Sequence, residues 1–329
     1  MDIVRVGVIG AGSMGERHCR VYSNLRHVNL VGIADLDADR GRTVAYTHNT
    51  QFFEDYQQLL NQVDAVSIVT PTPAHFNLAL EALEYNTHIL VEKPLTKTVE
   101  QARQLVAKAK QQNKILQVGH IERFNPAFIE LRNVTERLKL IAINVRRLSP
   151  FDTSNTDVDV IQDLMIHDLD LIASLMGKNL EGLNAWGRSI YNGAIDHAVA
   201  NLSFRDGPIA TLFASRITEQ KVRSIEITAE GAYIEADLLG KNLLIHRRTF
   251  PHFDSAAYRQ ESIIERIHVP MVEPLRLELE HFVECIREGR TPKVPGEDGL
   301  YALQLAEAVT DQIHNLMILG DVLPQFELI

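Results

Sequence analysis

The sequence predicts an α/β protein: an N-terminal Rossmann-type, doubly wound parallel sheet, then an α+β domain whose sheet is mainly antiparallel. Three observations predict it. Ten residues in, Val6-Gly-Val-Ile-Gly10-Ala-Gly12-Ser-Met-Gly15 is an apolar strand that breaks into G-x-G-x-x-G. Up to about residue 120, apolar runs alternate with helical patterns of about ten to fifteen residues, which requires right-handed crossovers between parallel strands. Beyond it come consecutive strands of two-residue alternation with short turns such as Asp206-Gly207, the pattern of an antiparallel sheet. The chain is therefore expected to divide into 1–120 and 121–329.

In chain order, the pattern predicts a strand over 4–9, a helix over 13–24 and a strand over 30–34. A helix over 55–60, a strand over 65–69 and a helix over 74–84 follow, then a strand over 88–91 that ends in Glu92-Lys93-Pro94. The helix over 98–112 is amphipathic, with Val99, Ala102, Leu105, Val106 and Ala109 on one face. A strand over 114–118 closes the series. The second region opens with a helix over 127–138 and a strand over 141–147. An aspartate-rich loop over 152–159 then precedes a helix over 160–176. Strands are expected over 198–204, 209–213, 224–229, 233–236 and 243–247, and helices over 274–288 and 299–318.

The glycines have separate physical roles. Gly10 permits the tight strand-to-helix turn, Gly12 lets the backbone approach a pyrophosphate, and Gly15 lets the helix lie close to the sheet. The helix beginning at Ser13, with Met14 in its first turn, aims unpaired N–H groups and a positive dipole end at phosphate. The second strand ends in Asp35, whose carboxylate can accept both ribose hydroxyls and repel a 2′-phosphate, so NAD is expected over NADP; Arg40 and Arg42 stand nearby in sequence. Ligands of such sheets bind beyond the carboxyl ends of the strands. That rule selects 10–15, Asp35, Thr70 to His75, Glu92 to Pro94, and Gly119 to Pro126.

Composition narrows the function classes. The net charge is −10 and no basic stretch stands out, which argues against a nucleic-acid partner. The two cysteines, Cys19 and Cys285, are far apart and in no C-x-x-C pattern, so thiolate zinc is not expected and a reducing compartment is. The first strand follows Met1 at once, leaving no room for a signal peptide. No apolar run approaches the roughly twenty residues of a membrane span. A cytoplasmic enzyme without membrane or metal is the expectation.

Glu92-Lys93-Pro94 behind the glycine motif resembles the Gfo/Idh/MocA oxidoreductases, and the resemblance runs along nearly the whole chain. Thr70-Pro71-Thr72-Pro73-Ala74-His75 is similar to that family's T-P-N-x-x-H segment, with Thr72 in place of Asn. Gln117-Val-Gly-His120-Ile-Glu-Arg123-Phe-Asn125-Pro126 resembles its hinge, and Asp163-Leu-Met-Ile-His167-Asp168 its D-x-x-x-H-D motif. One departure is Asp157-Val158-Asp159 where the family has a glycine triplet. The resemblance implies an N-terminal NAD-binding domain and a C-terminal domain for substrate binding and oligomerisation. It also implies nicotinamide-dependent chemistry on a sugar, cyclitol or related carbinol, and assembly as a homodimer or homotetramer. Gly119 to Pro126 and Asp163 to Asp170 resemble stretches of UDP-N-acetylglucosamine 3-dehydrogenases, which implies a nucleotide-sugar substrate; a free sugar or inositol is the alternative. A non-catalytic dinucleotide sensor and an NAD-dependent glycosidase are the other classes, the first expected to lack Lys93 or His167.

The residues fit alcohol oxidation, which needs a hydride acceptor, a base for the hydroxyl proton and positive charge beside the alkoxide. Asp163 and His167, spaced i, i+4, share a helix face, so the carboxylate can hold one ring nitrogen while the other faces substrate. Lys93 supplies the charge. These three are the candidate catalytic set. Gly10, Gly12, Ser13, Met14, Gly15, Asp35, Thr70, Pro71, His75, Glu92 and Lys93 are the candidate cofactor contacts. His120, Arg123, Asn125, Asp159, Asp163 and His167 are the candidate substrate contacts. Bland alternatives stand beside them. Asp–His pairs on helices are often surface pairs, and His75 fits a structural hydrogen bond equally well. Arg146 and Arg147 fit a diphosphate or the solvated end of a strand.

Overall fold

The structure is a computed structural model that describes residues 3–151, 158–191, 193–248, 252–254, 257–259 and 262–322. It falls into two compact units, Met1–Phe124 with Val272–Leu303, and Asn125–Met271 with Gln304–Ile329.

The first unit is built on β1 (Val4–Ile9), β2 (Val28–Ala34), β3 (Gln51–Phe53), β4 (Ala65–Ile68), β5 (His88–Glu92) and β6 (Leu116–Gly119). Their order is β3-β2-β1-β4-β5-β6, and every neighbouring pair is parallel. The helices are α1 (Ser13–Tyr22), α2 (Ala38–Thr47), α3 (Tyr56–Leu60), α4 (Thr72–Glu84), α5 (Val99–Gln111) and, from far along the chain, α8 (Pro274–Glu288). Both faces of the sheet are apolar because both are covered. On one face Leu59, Leu60, Ala79, Leu83, Ala102 and Leu105 of α3, α4 and α5 pack against Val66, Ile89 and Val91. On the other, Cys19 and Tyr22 of α1, Val44 of α2, and Leu275, Leu279 and Phe282 of α8 pack against Val6, Val8 and Leu90. Asp37, Asp55 and Thr98 cap α2, α3 and α5 by accepting the N–H groups of Arg40, Gln57 and Gln101.

The chain thus returns to the first unit after residue 271, beyond the division expected at residue 120. The crossovers after β4 and β5 place α4 and α5 on the same face, so the opposite face needs a helix the N-terminal sequence lacks, and α8 supplies it. Helix α2 and the three-residue β3 are further elements that hydrophobic periodicity did not reveal.

The second unit carries α6 (Pro126–Thr135) and an eight-stranded sheet of β7 (Leu140–Leu148), β8 (Leu180–Arg188), β9 (His197–Phe204), β10 (Ile209–Ser215), β11 (Val222–Ala229), β12 (Ala232–Asp237), β13 (Asn242–Arg248) and β16 (Ser262–Ile267). The order is β16-β13-β12-β11-β7-β10-β9-β8, and only β7 and β10 pair parallel. A separate hairpin joins β14 (His252–Asp254) to β15 (Ala257–Arg259). Alternation buries one face, including Ile143, Val145, Leu202, Leu212, Ile225 and Ile234. Helix α6 packs on β12 and β13. Ile313 of α9 (Gly296–Val322) meets Gly187, where a Cβ would come within 2.9 Å of it. The helix expected over 160–176 is divided: Ile161–Met165 forms a π-helical turn and α7 continues over Ile166–Met176. Strand β8 was not foreseen because Gly182 and Gly187 interrupt its apolar alternation.

Candidate active site

The loop after β1 shows what each glycine is for. Gly10 has φ +107°, and a Cβ on it would stand 2.3 Å from the Val69 carbonyl oxygen. A Cβ on Gly15 would stand 1.8 Å from the Gly10 carbonyl oxygen. A Cβ on Gly12 would meet no atom of the described residues within 4 Å, so none of them requires that glycine and the open space fits a close-lying pyrophosphate. Gly12 is the N-cap of α1 and no side chain caps the helix, which leaves the first-turn N–H groups at Ser13, Met14 and Gly15 for phosphate oxygens. At the end of β2, Asp35 accepts the N–H of Ala11 at 2.5 Å, the N–H of Asp37 at 2.7 Å and the Arg40 guanidinium at 2.8 Å. Partial burial pushes its acidity the other way, yet these donors hold the carboxyl below the usual carboxylate range. This strand end suits a dinucleotide.

The loops after β4 and β5 are tied together. The ring nitrogens of buried His75 lie 2.8 Å from the Thr70 carbonyl oxygen and 3.0 Å from that of Pro94. His75 thus links the two loops. The Thr70 hydroxyl is buried without a partner among the described residues, and Pro71 is the N-cap of α4. The Lys93–Pro94 peptide is cis. Lys93 donates its main-chain N–H to Glu92 Oε2 at 3.1 Å. Glu92 Oε1 in turn lies 3.4 Å from Nε2 of His18.

After β6, His120 is wholly buried. Burial, with help from the charges of Arg123 and Lys93, pushes its pKa down to about 3, so the ring is neutral. Arg123 donates to the Lys293 carbonyl at 2.9 Å and to the Asp298 carboxylate at 3.1 Å. In the second unit Asn125 caps α6 by accepting the N–H of Ala127 at 3.0 Å, and its amide donates to the Leu238 carbonyl at 3.0 Å.

Asp159 accepts the N–H of Ile195 at 2.7 Å, and its carbonyl accepts that of Asp163 at 3.0 Å at the start of the π-helical turn. Asp163 lies on that turn and His167 in the first turn of α7, both half-buried. π-Helical turns recur at functional sites. Asp168 plays a different part. Both its oxygens accept from Nε of Arg147, at 2.8 and 2.9 Å, and both residues are buried. Of the two readings of Arg147, a diphosphate contact or the solvated end of a strand, its burial against Asp168 matches neither: its guanidinium anchors α7 to β7, while Arg146, the next residue back, is exposed. Asp157 lies outside the described residues.

Two groups were not legible in the sequence. Asp196 accepts the N–H groups of Ile190 and Tyr191 and the Nε of Arg216, a hub built from distant segments. His18, Glu92 and Glu278 bring potential ligand atoms within 4.8 Å of one another; the one signal for Glu278 was an acid on the apolar face that Leu275, Leu279 and Phe282 give α8.

The chain also resembles known proteins along its length. Residues 4–120 match the model of an oxidoreductase family with an NAD-binding Rossmann fold, and residues 155–317 that of the same family's C-terminal alpha/beta domain. The UDP-N-acetylglucosamine 3-dehydrogenase of Acidithiobacillus ferrooxidans is 34% identical over 92% of this chain and 95% of its own. A solved structure of an enzyme of that name and organism superposes with a TM-score of 0.89, covering 96% of this chain and 99% of that one at 33% identity. The scyllo-inositol 2-dehydrogenase (NAD(+)) of Bacillus subtilis is 28% identical over 95% of each chain. The chain belongs to the Gfo/Idh/MocA oxidoreductase family, and its N-terminal fold is that family's NAD-binding Rossmann fold.

Proposed function

We propose that this family member oxidises a secondary alcohol of a nucleotide-activated sugar with NAD, and that the substrate is UDP-N-acetylglucosamine, oxidised at its 3-hydroxyl. The observation that carries the reading is the 34% identity to the Acidithiobacillus ferrooxidans enzyme across 92% of the chain. The inositol dehydrogenase above stands at 28%, which makes inositol or a free sugar the second reading.

Bound NAD supplies the hydride acceptor. The first-turn N–H groups of α1 hold the pyrophosphate, Asp35 the ribose hydroxyls, and Thr70, Pro71 and His75 the wall beside them. Preference for NAD follows from the ionised Asp35, which repels a 2′-phosphate; a higher kcat/KM with NADP contradicts it. Lys93 stabilises the developing alkoxide. His167 takes the hydroxyl proton, and Asp163, four residues earlier, orients its ring. His120 flanks the sugar, while Arg123, Asn125 and Asp159 shape the binding loops through the bonds described above. Cys19 and Cys285 are buried and unpaired, which suits a cytoplasmic enzyme. Among the described residues no helix is long and apolar enough to cross a membrane.

The test is incubation with NAD and UDP-N-acetylglucosamine, with a 3-aminotransferase and glutamate to draw off the 3-keto product. NADH should accumulate. Absence of NADH there, with turnover of myo-inositol or a free aldose, rejects the nucleotide sugar. Product without net NADH indicates a glycosidase.

A further inference from the structure

A cluster of buried polar groups in the first unit lies around Glu92. His18 of α1 and Glu278 of α8 are wholly buried, and with Glu92 they place one ligand-type atom each within 4.8 Å of the others. Among the described residues, both oxygens of Glu278, Oε1 of Glu92 and both ring nitrogens of His18 lack a hydrogen-bond partner. The neighbouring polar groups are spent elsewhere. The Tyr22 and Ser67 hydroxyls share a hydrogen bond at 2.8 Å, and Gln117 donates its amide to the main-chain carbonyl of Glu278 at 3.2 Å. Lys93 gives its main-chain N–H to Glu92. Gly119 leaves room for the Glu92 side chain, since a Cβ there would stand 2.9 Å from its Cδ.

Two carboxylates this close, away from water, cannot both be ionised at modest cost. Their neighbours differ. Glu92 has the Lys93 N–H, the adjacent His18 ring and the charge of Lys93, whereas Glu278 has only the charge of Glu92 facing it among the described residues.

We propose that Glu92 and Glu278 hold one proton between them, resident on Glu278, so that the Glu278 carboxylic acid and the adjacent His18 ring fix a single negative charge on Glu92 next to Lys93. Glu278 and His18 are then positioning residues for the lysine, which rests on the role of Lys93 proposed above. The charge balance agrees. Burial and the Glu92 charge push the Glu278 carboxyl well above the carboxylate range, while His18 and Lys93 hold Glu92 below it against the effect of burial. A divalent cation at the same three residues would need a path to two wholly buried side chains and would stand close to the Lys93 charge.

Infrared spectroscopy of the whole protein at about pH 8 tests this, because ordinary carboxyls are ionised there. A carbonyl stretch of a protonated carboxylic acid is expected, sensitive to deuteration and lost in Glu278→Gln. If that variant does not fold, carbon-13 labelling of the glutamates in the natural protein must shift the band. No such band, a band that survives Glu278→Gln, or one equivalent of divalent metal in protein purified without chelator overturns the proposal. In kinetics, Glu278→Leu is expected to lower kcat about tenfold or more with the KM for NAD little changed, as loss of an orienting partner does, and Glu278→Gln is expected to rescue most of it. Equal kcat and pH profile in Glu278→Leu and the natural protein also overturns it. Failure of the proposed function reads differently: no sugar is turned over while the band behaves as expected.

Discussion

Gly12 and Gly15 lie three residues apart and answer to different constraints. At Gly15 a Cβ would stand 1.8 Å from the Gly10 carbonyl oxygen, whereas at Gly12 it would meet none of the described residues within 4 Å. Gly15→Ala should therefore destabilise the protein, by about 1–3 kcal/mol as overpacking typically does. Gly12→Ala should melt like the natural protein and bind NAD more weakly. Thermal melts with and without NAD check both, and normal NAD affinity in Gly12→Ala would show that no pyrophosphate approaches there. For the chemistry, Lys93→Ala and His167→Asn should each lose about a hundredfold or more in kcat, the usual scale for an electrostatic stabiliser or a general base. His167→Asn should keep its NAD affinity. Near-natural turnover of His167→Asn from about pH 6 to 9 would remove His167 from the role of base. The glycines, Asp35, Lys93 and the Asp163–His167 spacing could be picked out as candidates because their patterns lie within a few residues of sequence. Arg147, Arg123 and Asn125 were not, since their partners Asp168, Asp298 and Leu238 lie 21, 175 and 113 residues away.

At the scale of elements, the parallel strands were legible because both of their faces are buried and their apolar runs are continuous. The π-helical turn was not, because an i, i+4 spacing is compatible with either helix type. The same parallel core makes the first unit sensitive to acid. His88, the first residue of β5, accepts the N–H of Ile115 through Nδ1 at 3.0 Å. Its pKa is pushed down from 6.5 to about 4, by burial and then by the charge of Lys114. His281 of α8 is likewise lowered to about 4, by burial and then by Lys293 and Arg290, and His120 to about 3. All three are neutral when folded, while the unfolded chain takes up protons near pH 6.5. Their contribution to stability is thus complete above pH 6.5 and is lost as pH falls from 6.5 towards 4. Tm should fall across that window before most carboxylates titrate. His88→Asn, which keeps an acceptor for Ile115 and cannot be protonated, should make the fall shallower. A Tm that is constant down to about pH 5 would contradict the assignment.

For the whole molecule, the sequence showed two kinds of sheet but not that residues 272–303 return to the first unit, since a helix does not announce which sheet face it will cover. The expected homodimer or homotetramer requires that the antiparallel sheet's second face be free to meet another copy. One face of that sheet is buried within the unit. The other presents a continuous row in register, Trp186, Val199, Phe213, Arg146, Ser224 and Asp237 across β8, β9, β10, β7, β11 and β12. Trp186 is 51% exposed. A half-exposed sheet face with aromatic and aliphatic groups at one end, and with Arg146 and Asp237 further along, suits self-association about a twofold axis. A twofold axis that runs along the row lets the apolar ends of two copies meet. The protein should therefore be a homodimer or homotetramer, and light scattering after gel filtration at micromolar concentration measures it directly. Val199→Asp combined with Phe213→Asp places two charges in the middle of the apolar end. This variant should run as a monomer or a smaller assembly, with the circular dichroism spectrum of the natural protein. A monomeric natural protein, or an assembly that the double variant leaves intact, would mean that this face is not where copies meet.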